Sequence, residues 1–344
     1  MAPRAKTLLR SILSFLLAAV FLYVAFRGTN FDELLNSLKD VRYFWIVLLI
    51  PVGLLSHYAR AVRWKYLLGH VKVDLSVRNL FAAVMIGYMV NNALPRVGEI
   101  VRPYVVGRLE KISKSTALGS VVVERIIDLV AVAAIFCLVL TFSPGVLSAF
   151  VDDAETLRPV FLGGSVVSLL LFLVLFLKSE SLIRSAQVLL AFVPARSRER
   201  VQSVFDSFVS GFRVASMKEA FGKIALASIV IWGLYALGLF IPFFAFPEIA
   251  DAGLGFDAAI VLLTLSSVAF ILPAPGAFGT YHTFLKFALM KMFGIHEVTA
   301  LSYTIVTHEF GVLLTTVTGA YFLLKDQVKV SDATADSPGG GAGQ

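Results

Sequence analysis

The amino-acid sequence predicts an all-α polytopic membrane protein, and three observations carry that prediction. Of the 344 residues, 58% are apolar and 15% charged, whereas soluble domains carry about 25% charged residues and under half apolar. The apolar residues fall in blocks long enough to cross a bilayer as helix, which takes about 20 residues. Two further blocks are interrupted, one at Asn91-Asn92-Ala93-Leu94-Pro95-Arg96-Val97-Gly98 and one at Leu272-Pro273-Ala274-Pro275-Gly276-Ala277-Phe278-Gly279. A soluble enzyme is thereby excluded. The net charge of +7 is no nucleic-acid footprint either, because Lys and Arg accumulate in the cytoplasmic loops of membrane proteins.

Taken in order, the first span is 8–26, preceded by Arg4, Lys6 and Arg10; with no small-x-small cleavage site after Phe26, it is read as uncleaved. Phe31, Leu34, Leu35, Leu38 and Val41 then recur at helical spacing, an amphipathic link suited to the membrane interface. Further full spans are expected at 43–59, 116–141, 159–177, 223–246 and 299–324. In each interrupted block, 79–109 and 258–293, the piece before the break has about 15 residues, or ~23 Å of helix, which is marginal for a crossing. The single cysteine, Cys137, excludes a disulfide within the chain and any thiolate cluster. No cofactor and no metal are expected.

Charge sets sidedness. Segments 1–11, 60–78 (with Arg60 and Arg63) and 178–223 are basic, whereas 142–158 and 247–257 are acidic and read as external. The segments flanking 79–109 are both basic, so this block enters from the cytoplasm and returns; 258–293 does the same from outside. The expectation is six full spans plus two re-entrant helical hairpins, with both termini cytoplasmic. Residues 1–141 and 142–330 then form two repeats of opposite orientation, each with a Leu-Pro-x-x-Gly break, followed by a disordered tail at 331–344. Inverted repeats with broken helices mark secondary transporter scaffolds.

Charges at membrane depth are expensive and usually functional. Glu124 and Asp128 share a helix face in the third span, with Arg125 about 100° round; they either line a path or lock helices together. His308 and Glu309 begin a His-Glu-x-x-His motif that fails at Val312. They either relay protons or satisfy one another. Each break frees helix N–H groups and a dipole end that favour an anion. Arg96 and Arg102 flank Gly98 and Glu99 at the first; Thr280, His282 and Lys286 follow Pro273, Gly276 and Gly279 at the second, where Thr280 is placed to cap the returning helix. An anion with an apolar body, such as a phospholipid or polyprenyl phosphate, fits these features.

The run from Asn91 to Arg102, the segment Glu124-Arg125-Ile126-Ile127-Asp128-Leu129 and the stretch Pro273 to Gly279 resemble, in that order, the signatures of the lysylphosphatidylglycerol synthase transmembrane-region family, also called flippase-like or UPF0104. The resemblance covers 8–324 and implies a lipid-translocating membrane domain. In founding members this domain accompanies a soluble aminoacyltransferase. The longest polar stretch here, 178–222, is too short to hold one, so synthase activity is not carried over. His282 departs from the family pattern, in which many members carry Glu after the break.

The leading function is therefore translocation of an anionic phospholipid or lipid-linked phosphate in the cell (inner) membrane. Arg96, Gly98, Glu99, Arg102, Arg125, Pro273, Gly276, Gly279, Thr280 and His282 would bind it, and Glu124, Asp128, His308 and Glu309 would line the path or couple cations. The partner is a membrane lipid, with a homo-oligomer possible and nucleic acid excluded. The alternatives are an intramembrane lipid-modifying enzyme, which lacks a complete catalytic motif here, a small-solute secondary carrier, and a scaffold.

Overall fold

A computed structural model describes residues 3–69, 71–143, 145–148, 153–177, 202, 206 and 218–328. Fourteen α-helices and two 3-10 turns make up the described residues, which contain no strand. The first half holds α1 (Pro3–Phe26), α2 (Phe31–Lys39), α3 (Tyr43–Val47), α4 (Leu49–Leu68), α5 (Val77–Ala93), α6 (Gly98–Glu110), α7 (Lys114–Phe142) and α8 (Gly145–Ser148). The second holds α9 (Ala154–Leu177), α10 (Lys218–Phe240), α11 (Pro247–Asp251), α12 (Phe256–Ile271), α13 (Thr280–Phe293) and α14 (Glu297–Lys325). The basic segment 178–223 lies mostly outside the described residues, and the tail at 331–344 entirely so.

Three of the described helices are long and apolar enough to cross a membrane: Tyr43–Leu68, Lys114–Phe142 and Ala220–Ala245. A fourth is reached if α1 and α2, bent by 85°, count as one span. The bend follows from the sequence. Asn30 caps α2 by accepting from the Asp32 and Glu33 amides at 3.0 and 3.4 Å, and acids in the first turn and Lys39 in the last suit the helix dipole. Leu34 is buried while Phe31 and Leu35 face outward, as an interfacial helix requires.

Both interrupted blocks fold into helical hairpins. In the first, α5 and α6 run antiparallel: Glu110, at the end of α6, accepts from the Ser76 amide at 3.2 Å and from Asn79 Nδ2 at 2.7 Å. At the other end a Cβ on Gly98 would lie 1.9 Å from the Gly87 carbonyl oxygen, so the helices meet where only glycine fits. In the second hairpin the Thr280 hydroxyl donates to the Ala269 carbonyl at 3.2 Å across the break. Gly279 starts α13 with φ +77°, and its Cα packs against α1, where a Cβ would lie 2.5 Å from the Ala18 oxygen.

The two breaks touch. Arg96 Nη2 donates to the Ile271 carbonyl at 3.0 Å, and a Cβ on Gly276 would lie 3.3 Å from Asn92 Cα. Asn92 Nδ2 in turn reaches Thr315 and Thr316 hydroxyls on α14, both at 3.0 Å. Polar contacts also close both ends of the bundle. At one end Lys286 Nζ donates to the Ala25 carbonyl and to Glu297, each at 2.6 Å. At the other, Arg78 pairs with Asp326 at 2.6 Å and Lys72 with Glu110 at 2.9 Å.

Candidate functional site

Four helices converge on a buried charge network. Arg60, Arg63, Trp64 and Leu67 follow helical spacing along one face of α4, all buried. Opposite them Ala117, Ser120, Glu124 and Asp128 form the buried face of α7. Arg60 Nη1 donates to Glu124 Oε1 and, at 3.0 Å, to Asp128 Oδ2. Arg63 Nη2 donates to Asp128 Oδ1 at 2.7 Å, and its Nη1 to Ser228 on α10 at 3.0 Å. Arg102, from α6, holds Glu124 with both terminal nitrogens, at 3.2 and 2.7 Å. Its guanidinium also lies 4.1 Å from the centroid of the Trp64 ring, whose Nε1 donates to Ser120 Oγ at 2.8 Å. Tyr235 on α10 accepts from Arg60 Nε and Nη2 at 3.3 and 3.2 Å.

The network holds three guanidiniums against two carboxylates, so one positive charge is in excess. Beside it, outside the buried core, Arg125 pairs with Glu99 at 3.2 Å, both side chains a little over one-third exposed. Val84, Gly87, Tyr88, Asn91, Gly98, Glu99, Arg102 and Arg125 line one crevice that leads from this pair to the network. Nε of Arg102 and of Arg125 are both buried without a hydrogen-bond acceptor. Exposed apolar side chains flank the mouth: Ile100 on α6, and Val122 and Leu129 on the same face of α7 as Arg125.

Of the residues the sequence singled out, the structure gathers Glu99, Arg102, Glu124, Arg125 and Asp128 here. Gly98 lines the crevice, but its amide is taken by Asn91 Oδ1 at 2.7 Å. Arg96 is exposed and turned to the second break. That break makes a separate cluster: His308 Nε2 lies 2.8 Å from the Gly276 carbonyl oxygen, and Glu309 Oε1 lies 3.1 Å from His308 Nδ1 and 3.5 Å from His282 Nε2. Pro273 is exposed and Gly279 is committed to α1. Thr280 does not cap α13: it is the first helical residue, and its hydroxyl donates to the Ala269 and Ala277 carbonyls. Lys286 points away from the break to the bundle end.

Arg60 and Arg63 correct the sequence reading most. They count there as loop charges beyond a span ending at 59, but α4 continues to Leu68 and buries both. Their signal was the i, i+3 basic pair in phase with Trp64 and Leu67, complementary to acids spaced i, i+4 on α7. Ser228 and Tyr235, seven residues apart on one face of α10, carried no charge to flag them.

Residues 11–319 match the lysylphosphatidylglycerol synthase TM region. Among curated proteins, the chain is 24% identical over 331 residues to "Glycosyltransferase AglD" of Haloferax volcanii, covering 89% of this chain but 53% of that protein. It is 24% identical over 308 residues to a UPF0104 membrane protein of Pyrococcus horikoshii, covering 84% and 88% of the two chains. To a UPF0104 membrane protein of Methanocaldococcus jannaschii it is 28% identical over 127 residues, 36% of each. The chain thus spans about half the length of the Haloferax protein. No solved structure matches it. With the match running through nearly the whole helical bundle, the chain belongs to the lysylphosphatidylglycerol synthase TM region family.

Proposed function

We propose that the protein moves an anionic lipid across a membrane, with the phosphate held in the crevice between α5, α6 and α7. The observation that carries this reading is the excess positive charge of the buried network beside a crevice whose mouth is apolar. Unbalanced charge in a membrane interior costs several kcal/mol, and an anion at Arg102 and Arg125 offsets it. Guanidinium forks match phosphate oxygens, and the start of α6 adds its dipole end. Ile100, Val122 and Leu129 leave room for acyl chains beside the headgroup.

The topology in this proposal is six spans and two re-entrant hairpins in an inverted repeat, with both termini cytoplasmic in a cell (inner) membrane. Recurrent packing supports it. In the first half α4 packs on α5, α5 on α6 and α6 on α7; in the second α10 packs on α12, α12 on α13 and α13 on α14. The counterparts α4 and α10 pack against each other. The contact between the breaks through Arg96 and Gly276 supports a reading in which the two halves meet at the helix interruptions and move there during alternating access.

The test is translocation of fluorescent phosphatidylglycerol in liposomes bearing the full chain. Arg125→Ala, at a side chain little more than one-third exposed and apart from the core network, should slow it by about tenfold, the effect of ~1.4 kcal/mol. Wild-type protein that is inserted and monodisperse yet moves neither anionic phospholipids nor polyprenyl phosphates would refute the reading. The printed name of the Haloferax relative favours a second one, a lipid-modifying enzyme. Mass spectrometry of the recovered lipid separates the two, since a carrier returns it chemically unchanged.

A further inference from the structure

We propose that His282, His308 and Glu309 bind one first-row divalent transition-metal ion, with Zn2+ the best-suited species. The argument begins at His308. Its Nε2 lies 2.8 Å from the Gly276 carbonyl oxygen, and a carbonyl only accepts, so Nε2 carries the hydrogen. In the neutral ring Nδ1 is then a lone pair, facing Glu309 Oε1 at 3.1 Å. Two lone pairs at that separation repel unless a proton or a metal ion lies between them, and a second imidazole on the same oxygen favours the metal ion. His282 Nε2 approaches the same carboxylate oxygen at 3.5 Å. The His282 and His308 rings are 4.8 Å apart between centroids, and both are buried.

Two imidazole nitrogens and one carboxylate oxygen, all within 4.8 Å of one another, therefore converge on one point, the only such group of three among the described residues. Zinc holds such ligands at about 2.0–2.2 Å, which sets ligand-to-ligand separations of about 3.4 Å in a tetrahedron. Both separations from Glu309 already lie near that value. The third separation, between the two imidazole nitrogens, is at most 4.8 Å; a small turn of the His282 ring, whose Nδ1 makes no hydrogen bond, closes it, and the 45% exposed Glu309 side chain follows. Imidazole with carboxylate suits zinc and its neighbours rather than Mg2+ or Ca2+. Metal-bound histidines usually donate their other N–H to a carbonyl or carboxylate, as His308 does to Gly276. The exposed side of Glu309 leaves the fourth position to water. A bound ion ties α13 to α14, and through His308 to the second break.

The test uses full-length protein in detergent, stripped with a chelator and titrated with Co2+. The expected result is saturation at one equivalent, with the visible bands of four- or five-coordinate cobalt, displaced by Zn2+ and without the thiolate band that Cys137 would give. His282→Gln and His308→Gln should each abolish the bands, and Glu309→Gln should weaken binding by about tenfold or more. A monodisperse wild-type protein that shows only octahedral, non-saturating cobalt absorption overturns the proposal. So does one-equivalent binding that persists in a folded His282→Gln/His308→Gln variant. The wild-type spectrum decides even if a variant fails to fold, and lipid translocation does not enter the readout.

Discussion

Arg102 and Glu124 form a two-pronged pair, Nη1 to Oε1 at 3.2 Å and Nη2 to Oε2 at 2.7 Å, and join the first hairpin to α7. Glu124 also accepts from Arg60, so one carboxylate holds helices α4, α6 and α7. Removing its charge leaves three guanidiniums with Asp128 alone. Glu124→Gln should cost about 3–5 kcal/mol of stability, read as a large drop in Tm of the detergent-solubilised protein. A Tm equal to wild type would mean that the network does not hold the fold.

Arg125→Ala removes a partly exposed pair with Glu99 and should cost under about 1 kcal/mol. The contrast between Arg125→Ala and Glu124→Gln separates function from structure. If both variants melt alike, the outer pair is structural too and the crevice loses its role as a headgroup site.

At the tip of the first hairpin Gly98→Ala forces a Cβ to within 1.9 Å of the Gly87 carbonyl oxygen, whereas Gly87→Ala meets the Gly98 oxygen at 3.2 Å. Overpacking costs about 1–3 kcal/mol, and Gly98→Ala should exceed Gly87→Ala in both Tm loss and transport loss. The reverse order would contradict the close approach of α5 and α6.

Gly253 and Gly279 both have φ in the left-handed region, +65° and +77°, but only Gly279 faces a neighbour, the backbone of α1. Alanine at either site carries the strain of about 1–2 kcal/mol. Gly279→Ala should therefore destabilise more than Gly253→Ala, with the excess reporting the docking of α1. Equal thermal shifts would argue against that contact.

Single cysteines introduced into a Cys137→Ser background test re-entrance. Val73→Cys and Lys111→Cys flank the first hairpin at exposed positions, as Ala252→Cys and His296→Cys flank the second. Impermeant maleimide should label the first two from one side of the membrane and the last two from the other. Opposite sidedness within either pair would make that hairpin a full crossing.

Much of this arrangement is legible in the sequence, and the residues show why the rest is not. Leu94-Pro95 and Leu272-Pro273 end helices α5 and α12 through local backbone chemistry, so both breaks are visible in the sequence. Glu124 and Asp128 stand out because acids are costly in apolar helix. Arg60 and Arg63 did not stand out, since a basic residue near a span end reads as loop until its partner is known. Local sequence alone suggests Thr280 as a cap, but a carbonyl eleven residues earlier takes its hydroxyl.

The sequence by itself determined an all-helical membrane chain, the places where two helices break and the presence of charge at membrane depth. These follow from hydropathy, proline and glycine, which act over a few residues. The tertiary structure decided which charges meet. Arg60 reaches Glu124 across 64 positions and Tyr235 across 175, and Arg96 reaches Ile271 across 175. Pairing over such distances depends on how helix faces pack, a property of the whole bundle that no local window of sequence contains.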